Sequence, residues 1–354
     1  MSDILLSAVP GATALSFWAA GAAAVLAAAV GTWLVLLAAR RWLILDRPNE
    51  RSSHVRPTPT LGGLGIAAGL WAGLAVLLSS QTALPAGTGW ALAAVTGVFL
   101  VATLDESERS MRVGEKLFLQ ILAAVLWMSV GGLRLEWITL PWLGRLELVG
   151  GWSPGITALW FVSLCNICNF MDGIDGIAAT ESMSVGVWAA LALVVVGSPA
   201  AGLPIVLAAT SLGFLLFNFP PARIFMGDVG SFLLGGLLAI VGIVGEWEGV
   251  PLWLFAVLLL CFLFDATYTL IRRALRGENL LRAHRQHLYQ RLVLGGWSHA
   301  RVNVMVLLLN AILGIGVCAT LEGFGGIGSF CFAVVAACLI ATALWLECGD
   351  LARA

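Results

Sequence analysis

Charge is what this sequence has least of. Asp, Glu, Lys and Arg make up 11% of its 354 residues against 60% hydrophobic residues, and the mean hydropathy is +0.97. A water-soluble domain needs a solvated outer face, and this chain lacks the polar residues to build one. It belongs in a bilayer. A basic cluster is also missing ahead of the first apolar run, where Asp3 stands instead, and that run is too long for the core of a cleaved secretory signal. It is expected to remain as a helix. A second cysteine pair is missing too: Cys165 and Cys168 form a lone C-x-x-C, which argues against a zinc or redox frame. The seven cysteines, Cys165, Cys168, Cys261, Cys318, Cys331, Cys338 and Cys348, fall mostly inside apolar runs, where they read as small packing residues.

What is abundant is apolar sequence in lengths that cross about 30 Å of hydrocarbon. Dividing it gives about eleven segments, at 12–39, 62–80, 89–104, 117–132, 154–171, 177–197, 203–219, 230–246, 250–271, 301–320 and 324–346. The fold class expected is therefore an all-α polytopic membrane protein, one integral domain over 1–354. With the N-terminus extracytoplasmic, 17 of the 19 Lys and Arg fall on the cytoplasmic side and only Arg134 and Arg145 outside. That asymmetry sets the orientation. The outer stretch 133–150 alternates around a Pro-Trp-Leu-Gly centre, which suits a short extracytoplasmic β-hairpin.

The few acidic residues gather on the cytoplasmic side, where Asp46, Asp105, Glu106, Asp172, Asp175 and Asp228 stand at the ends of different helices. Any one of them suits a solvated helix end, but six from four loops, with Asp46, Asp172, Asp175 and Asp228 beside Gly or Arg, point to a site. The densest motif is Asn166-Ile-Cys-Asn169-Phe-Met-Asp172-Gly-Ile-Asp175-Gly176, whose two carboxylates can converge at a helix end while the glycines admit a ligand to the backbone. Next comes Asn218-Phe-Pro-Pro-Ala-Arg-Ile-Phe225-Met-Gly227-Asp228-Val-Gly230-Ser231. Here prolines end one helix and Gly-Asp-x-Gly-Ser opens another, placing Asp228 either to ligate a hard cation or to cap the helix.

Two basic loops complete the set. The first carries Arg51, His54 and Arg56 before Gly62 and Gly63. Guanidinium forks and unpaired N–H groups at a Gly-Gly helix start both favour phosphate, although any positive-inside loop is Arg-rich. The last, 272–301, holds seven arginines with His284, His287, Tyr289 and His299, and helical spacing makes much of it an interfacial amphipathic helix or an anchor on acidic lipid. A secondary transporter would share the many helices, but its charges would lie at mid-membrane rather than at one set of helix ends.

These motifs resemble, in order, those of the polyprenyl-phosphate N-acetylhexosamine-1-phosphate transferases, glycosyltransferase family 4, over about residues 45–295. The matching stretches are D-x-P-N-x-R-x-x-H with P-T-P-x-x-G-G, the acidic Asp105 loop, N-x-x-N-x-x-D-G-x-D-G, F-M-G-D-x-G-S, and His284-Arg-Gln-His287-Leu-Tyr289-Gln-Arg291-Leu. One departure is Asp105-Glu106 where the family usually has Asp-Asp. The H-R-x-H-x-Y-Q-R-L form resembles the branch that initiates O-antigen and similar surface glycans, often on deoxy-N-acetylhexosamines.

The resemblance implies transfer of a hexosamine 1-phosphate from a UDP-sugar to polyprenyl (undecaprenyl) phosphate with release of UMP, in the bacterial inner membrane with the site facing the cytoplasm. It implies Mg2+, or Mn2+ in its place, held chiefly by Asp228 with Asp172 and Asp175. Asp105 would lie near the lipid phosphate as a further catalytic carboxylate. Substrate binding would involve Arg51, His54, Arg56, Asn166, Asn169, Asn218, Phe225, His284, Arg285, His287 and Tyr289. Membrane lipid is an expected partner, nucleic acid is not, and a homodimer, aided by the glycine-rich helix 61–73, is a family expectation.

Overall fold

The computed structural model describes residues 14–46, 56–106, 112–280 and 284–351, the side chains at 99, 101–106, 350 and 351 excepted. The predicted Arg51 and His54 lie outside the described residues. Helices dominate, in the order α1 Ala14–Trp42, α2 Gly63–Ser79, α3 Thr88–Glu106, α4 Val113–Gly131, α5 Trp152–Met171, α6 Ile177–Val195, α7 Gly202–Asn218 and α8 Gly227–Trp247. They continue with α9 Leu252–Leu258, α10 Leu260–Leu275, α11 Leu288–Leu294, α12 His299–Leu321 and α13 Gly325–Leu351. Among the described residues eight helical stretches are long and apolar enough to cross a membrane, with α2 and α3 as shorter apolar helices. The expected segments are thus all helical, with one correction. The stretch 250–271 is not a straight span: α9 and α10 meet at Leu259 with an 80° bend.

Helix α8 forms the axis of the bundle. Every residue from Val229 to Glu246 is buried, as expected for a helix that is apolar all round. Its glycines let neighbours close in: a Cβ at Gly235 would fall 2.7 Å from Cys165 Cα, and one at Gly236 would fall 3.0 Å from the Phe161 ring. Cys165 and Cys168 are buried in this packing, in keeping with their reading as small core residues. The glycine stripe of α2 serves the same purpose inside the chain. A Cβ at Gly65 would meet Thr32 of α1, and one at Gly69 would meet Thr210 of α7. These are the close helix contacts that the glycine-rich sequence permits, made here within the chain.

One end of the bundle carries the expected hairpin, β3 Trp137–Leu140 paired antiparallel with β4 Gly144–Glu147, after the short pair β1 Leu45–Asp46 and β2 Thr58–Pro59 at the other end. The buried Glu246 at the close of α8 fastens the hairpin by accepting hydrogen bonds from Thr139 N at 2.7 Å and Thr139 Oγ1 at 2.6 Å. Arg145 lies over the Trp137 ring at 3.5 Å. The described parts of the motif loops stand at the opposite end.

Candidate active site

The first and fourth motifs are joined through the backbone. Phe225 N donates to Pro59 O at 2.8 Å, Gly62 N to Phe225 O at 2.9 Å and Gly63 N to Met226 O at 2.9 Å. A Cβ at Gly63 would stand 2.5 Å from Gly230 Cα, so the two Gly-rich helix starts pass in direct contact. This corrects the phosphate reading of Gly62 and Gly63, because the N–H groups it relied on are already bonded to carbonyls. Arg56, just before β2, is exposed.

Gly227 adopts a positive φ of 73° and opens α8, with Asp228 in the first turn. Met226, not Asp228, occupies the cap position, so the capping alternative falls away. Asp228 Oδ2 pairs with Lys116 Nζ from the first turn of α4, and Asp228 Oδ1 accepts from Asn169 Nδ2 at 2.9 Å. Asn169 also donates to Ser231 Oγ at 3.0 Å. Three helices thus converge on one carboxylate. The pair remains open to solvent, the Lys116 and Asp228 side chains being 23% and 33% exposed. Lys116 is the only lysine in the sequence; the motif reading missed it, and its singularity just after the acidic second loop is the signal that marks it. Glu115 accepts from Arg112 N at 2.7 Å and so fixes the turn on which Lys116 stands.

Asp172 follows the last residue of α5. Burial, and then the charges of Asp228 and Asp175, push its carboxyl up to about 7. Asp175 has different work. Its Oδ2 accepts from Ala222 N at 3.0 Å, its N–H donates to His299 Nδ1 at 3.3 Å, and Asn303 Nδ2 donates to its carbonyl at 2.9 Å. It ties the third motif to the proline loop and to α12. Asn218 does likewise, accepting from Gly176 N at 3.0 Å and donating to Ile224 O at 2.9 Å, while Asn166 donates to Gln120 Oε1 of α4 at 2.7 Å. Gly176, at φ 81°, makes the turn into α6. Asp105 closes α3 at this same end; the position of its side chain is outside the described residues.

The last loop is not the long amphipathic helix expected. Among its described residues between α10 and α12 only the seven-residue α11 is helical, and the amphipathic helix is α10 before it. Asp265 of α10, also missed, anchors the loop. Its Oδ1 lies 3.1 Å from His287 Nδ1 and accepts from Leu288 N at 2.9 Å, and its Oδ2 accepts from Tyr289 N at 3.1 Å. A carboxylate partner makes Nδ1 the protonated nitrogen of His287. A lone acid inside the apolar run Leu-Cys-Phe-Leu-Phe-Asp265 was the available signal. His287 and Tyr289 are 4% and 3% exposed. They form a floor beneath the third motif, with Tyr289 Oη donating to Phe170 O at 3.1 Å. His284 lies 5.0 Å from His287, ring to ring, and burial, with His287 and Arg273 nearby, lowers it to about 4. Arg285 faces a separate cleft with Arg272, Arg276 and Arg291.

Among the described residues no three His, Cys, Asp or Glu side chains converge as a metal cage. What does converge is Asp228 with Asp172 in electrostatic reach, beside one lysine and one amide.

Comparisons with known proteins place the chain among relatives. A model of "Glycosyl transferase family 4" matches residues 89–246. A probable undecaprenyl-phosphate N-acetylglucosaminyl 1-phosphate transferase of Bacillus subtilis is 32% identical, over 75% of this chain and 74% of its own. The decaprenyl-phosphate N-acetylglucosaminephosphotransferase of Mycolicibacterium smegmatis is also 32% identical, over 82% and 78%. A phospho-N-acetylmuramoyl-pentapeptide-transferase of Synechococcus is 33% identical, over 80% and 86%. With these relatives and with its motifs assembled at one end of a helical membrane bundle, the chain is a sugar-phosphate transferase and belongs to glycosyl transferase family 4, the polyprenyl-phosphate N-acetylhexosamine-1-phosphate transferases.

Proposed function

We propose that this enzyme transfers an N-acetylated hexosamine 1-phosphate, in its own pathway a deoxy sugar, from a UDP-sugar to undecaprenyl phosphate. It releases UMP and starts an O-antigen or similar lipid-linked surface glycan at the cytoplasmic face of the inner membrane. The observation that carries the reading is the Asp228–Lys116–Asn169 cluster, half open at the end of an apolar bundle, with Asp172 at its edge. A phosphate oxygen of the lipid attacks the sugar-linked phosphorus. The new P–O bond joins lipid and sugar phosphates, and the bond to the UMP oxygen breaks.

Both reactants are anions, so repulsion must first be neutralised. Lys116 is the nearest cation to Asp228 and suits a phosphate oxygen of the donor. The donor set also fits a hard divalent ion, because such ions are held by one or two carboxylates and take their other ligands from substrate phosphates and water. A carboxyl raised by burial and then by neighbouring negative charge, as Asp172 is, has both offset by a bound cation. Asp228 and Asp172 would hold Mg2+, or Mn2+ in its place, and the bound ion would withdraw charge from the diphosphate. Asn169 orients Asp228, and Asp175 positions the loop bearing Asp172. Asp105, by the family motif, would take or orient the proton of the lipid phosphate.

The surface-glycan reading rests on the form of the last motif, in which Tyr289 and Gln290 pack under Gly173. Membranes containing the protein, undecaprenyl phosphate, magnesium and a panel of UDP-sugars labelled at the sugar-linked phosphorus test the whole reaction. Label should pass to organic-soluble lipid, most from a UDP-deoxy-N-acetylhexosamine. Preference for UDP-N-acetylglucosamine would replace the sugar assignment, and label remaining aqueous with every donor would overturn the reaction.

A further inference from the structure

One cleft of the described structure lies apart from Asp228. It has a volume of about 670 Å³, and Arg272, Arg276, Arg285, Gln286, Arg291 and Leu294 form one part of its lining, with Trp345, Leu346 and Cys348 of α13 among those opposite. None of Asp228, Asp172, Lys116 or Asn169 borders it.

Its charge is unbalanced. Glu347 is shared by three of the arginines: Arg272 Nε at 2.6 Å, Arg291 Nη1 at 2.7 Å and Arg276 Nη2 at 3.3 Å. Four guanidinium groups stand in the described lining and no carboxylate does; Glu347 and Glu278, which accepts from Gln286 Nε2 at 2.8 Å, are acidic neighbours, and the four positive charges exceed these two. Guanidinium groups clustered in this way suit phosphate oxygens, which they engage through paired N–H donors.

The apolar side of the cleft narrows the ligand. Leu294 is 64% exposed and Trp345 is 58% exposed, beside the buried Leu346. A soluble anion has no use for such a wall. The cleft also lies where α13, a membrane-spanning helix, reaches the end of the bundle that holds the motif loops, the level at which headgroups and interfacial tryptophans are found. The acceptor lipid is the weaker candidate, because its phosphate must reach the Asp228 cluster, which does not border this cleft.

We propose that this cleft is a binding site for an anionic phospholipid of the surrounding bilayer. Its phosphodiester is held by Arg272, Arg276, Arg285 and Arg291, and its acyl chain lies against Leu294 and Trp345. The site also touches the catalytic end. Helix α11 sends Arg291 into the cleft and Tyr289 under Phe170, so a bound headgroup braces the same seven residues that floor the third motif.

The test is native mass spectrometry of the full-length protein, delipidated in neutral detergent and titrated with phosphatidylglycerol or phosphatidylcholine. Wild-type protein should retain phosphatidylglycerol in preference. Arg276 has a 48% exposed side chain, so Arg276→Gln should fold and should weaken phosphatidylglycerol binding about fivefold, the weight of one basic side chain at an anionic lipid surface. Glu347→Gln, which removes the internal counter-charge, should strengthen it, and neither change should alter phosphatidylcholine binding. Opposite signs from the two variants cannot come from unfolding. Equal retention of the two lipids, or an Arg276→Gln variant that binds as wild type, would overturn the site. Displacement of phosphatidylglycerol by millimolar inorganic phosphate, or by undecaprenyl phosphate at equal concentration, would reassign it to a free anion or to the acceptor. Because binding is read without turnover, its failure is distinct from a failure of the transferase reading.

Discussion

At Asp228 distant parts of the sequence meet on one carboxylate: Lys116 stands 112 positions away and Asn169 stands 59 away. Asp228→Asn keeps the shape and the Asn169 contact but removes the charge that pairs Lys116 and that a divalent ion would need. Sugar-phosphate transfer should fall by at least about 10²-fold, the scale on which a displaced or missing group acts at a reacting centre, while membrane abundance is unchanged. Chelation of divalent ions should do the same to the wild type. Near-normal transfer by Asp228→Asn at saturating magnesium would remove Asp228 from the site. The second acidic loop divides differently. A Glu at 106 sets its oxygens about 1 Å further out than the family's usual Asp, a misplacement that a tightly placed group does not tolerate. The demanding role therefore belongs to Asp105. Asp105→Asn should abolish transfer, Glu106→Gln should retain a substantial fraction, and Glu106→Asp should be tolerated. Equal loss in Asp105→Asn and Glu106→Gln, at matched abundance, would show that the two carboxylates act together.

The elements at the site are held by contacts between motifs. A Cβ at Gly173 would fall 2.1 Å from Tyr289 Oη and 2.7 Å from Gln290 Nε2, so the third and fifth motifs interlock at a point with no spare volume. Gly173→Ala should destabilise the protein by about 1–3 kcal/mol, the usual cost of overpacking, and lower transfer. Tyr289→Phe, which deletes the colliding oxygen, should recover part of that loss. A thermal unfolding midpoint equal to wild type in the single variant would contradict the interlock. The same loop should respond to acid. Burial and nearby positive charge hold His284 at about 4 against 6.5 for the free side chain, so the folded state resists its protonation. The associated stability is present above about pH 6.5 and is lost as pH falls toward 4. Amide exchange over 288–294 should accelerate across that window, and His284→Gln should flatten the response; an unchanged pH profile in the variant would contradict it. Helix positions were legible because apolar length reports them directly. The α9–α10 bend was not, because no Pro or Gly marks Leu259 and hydropathy measures length without direction. The extent of helix in the last loop was over-read for a related reason: spacing permits a helix, but hydrogen bonds to Asp265 fix the chain in another form.

For the whole molecule, the arrangement of ends is the testable property. The described parts of the motif loops gather at one end and the hairpin bearing Arg145 at the other, and the 17-to-2 division of basic residues predicts that the motif end faces the cytoplasm. In a cysteine-free background, an impermeant maleimide added to intact cells should label Arg145→Cys and leave Arg301→Cys unlabelled until the membrane is opened. The reverse pattern would invert the topology. Composition and spacing determined that this chain enters a membrane and how most of its helices are divided, because hydrophobic length is a property of neighbouring residues, and the order of five short stretches carried the family resemblance. Only tertiary structure decided how those stretches divide their work: that Lys116 joins Asp228, that Asp175 and Asn218 are braces, that Gly62 and Gly63 bond to carbonyls rather than to phosphate, and that His287 and Tyr289 lie below the site. A hydrogen bond or ion pair is fixed by distance and direction in space, and between helices that meet across more than a hundred positions the sequence carries no record of either.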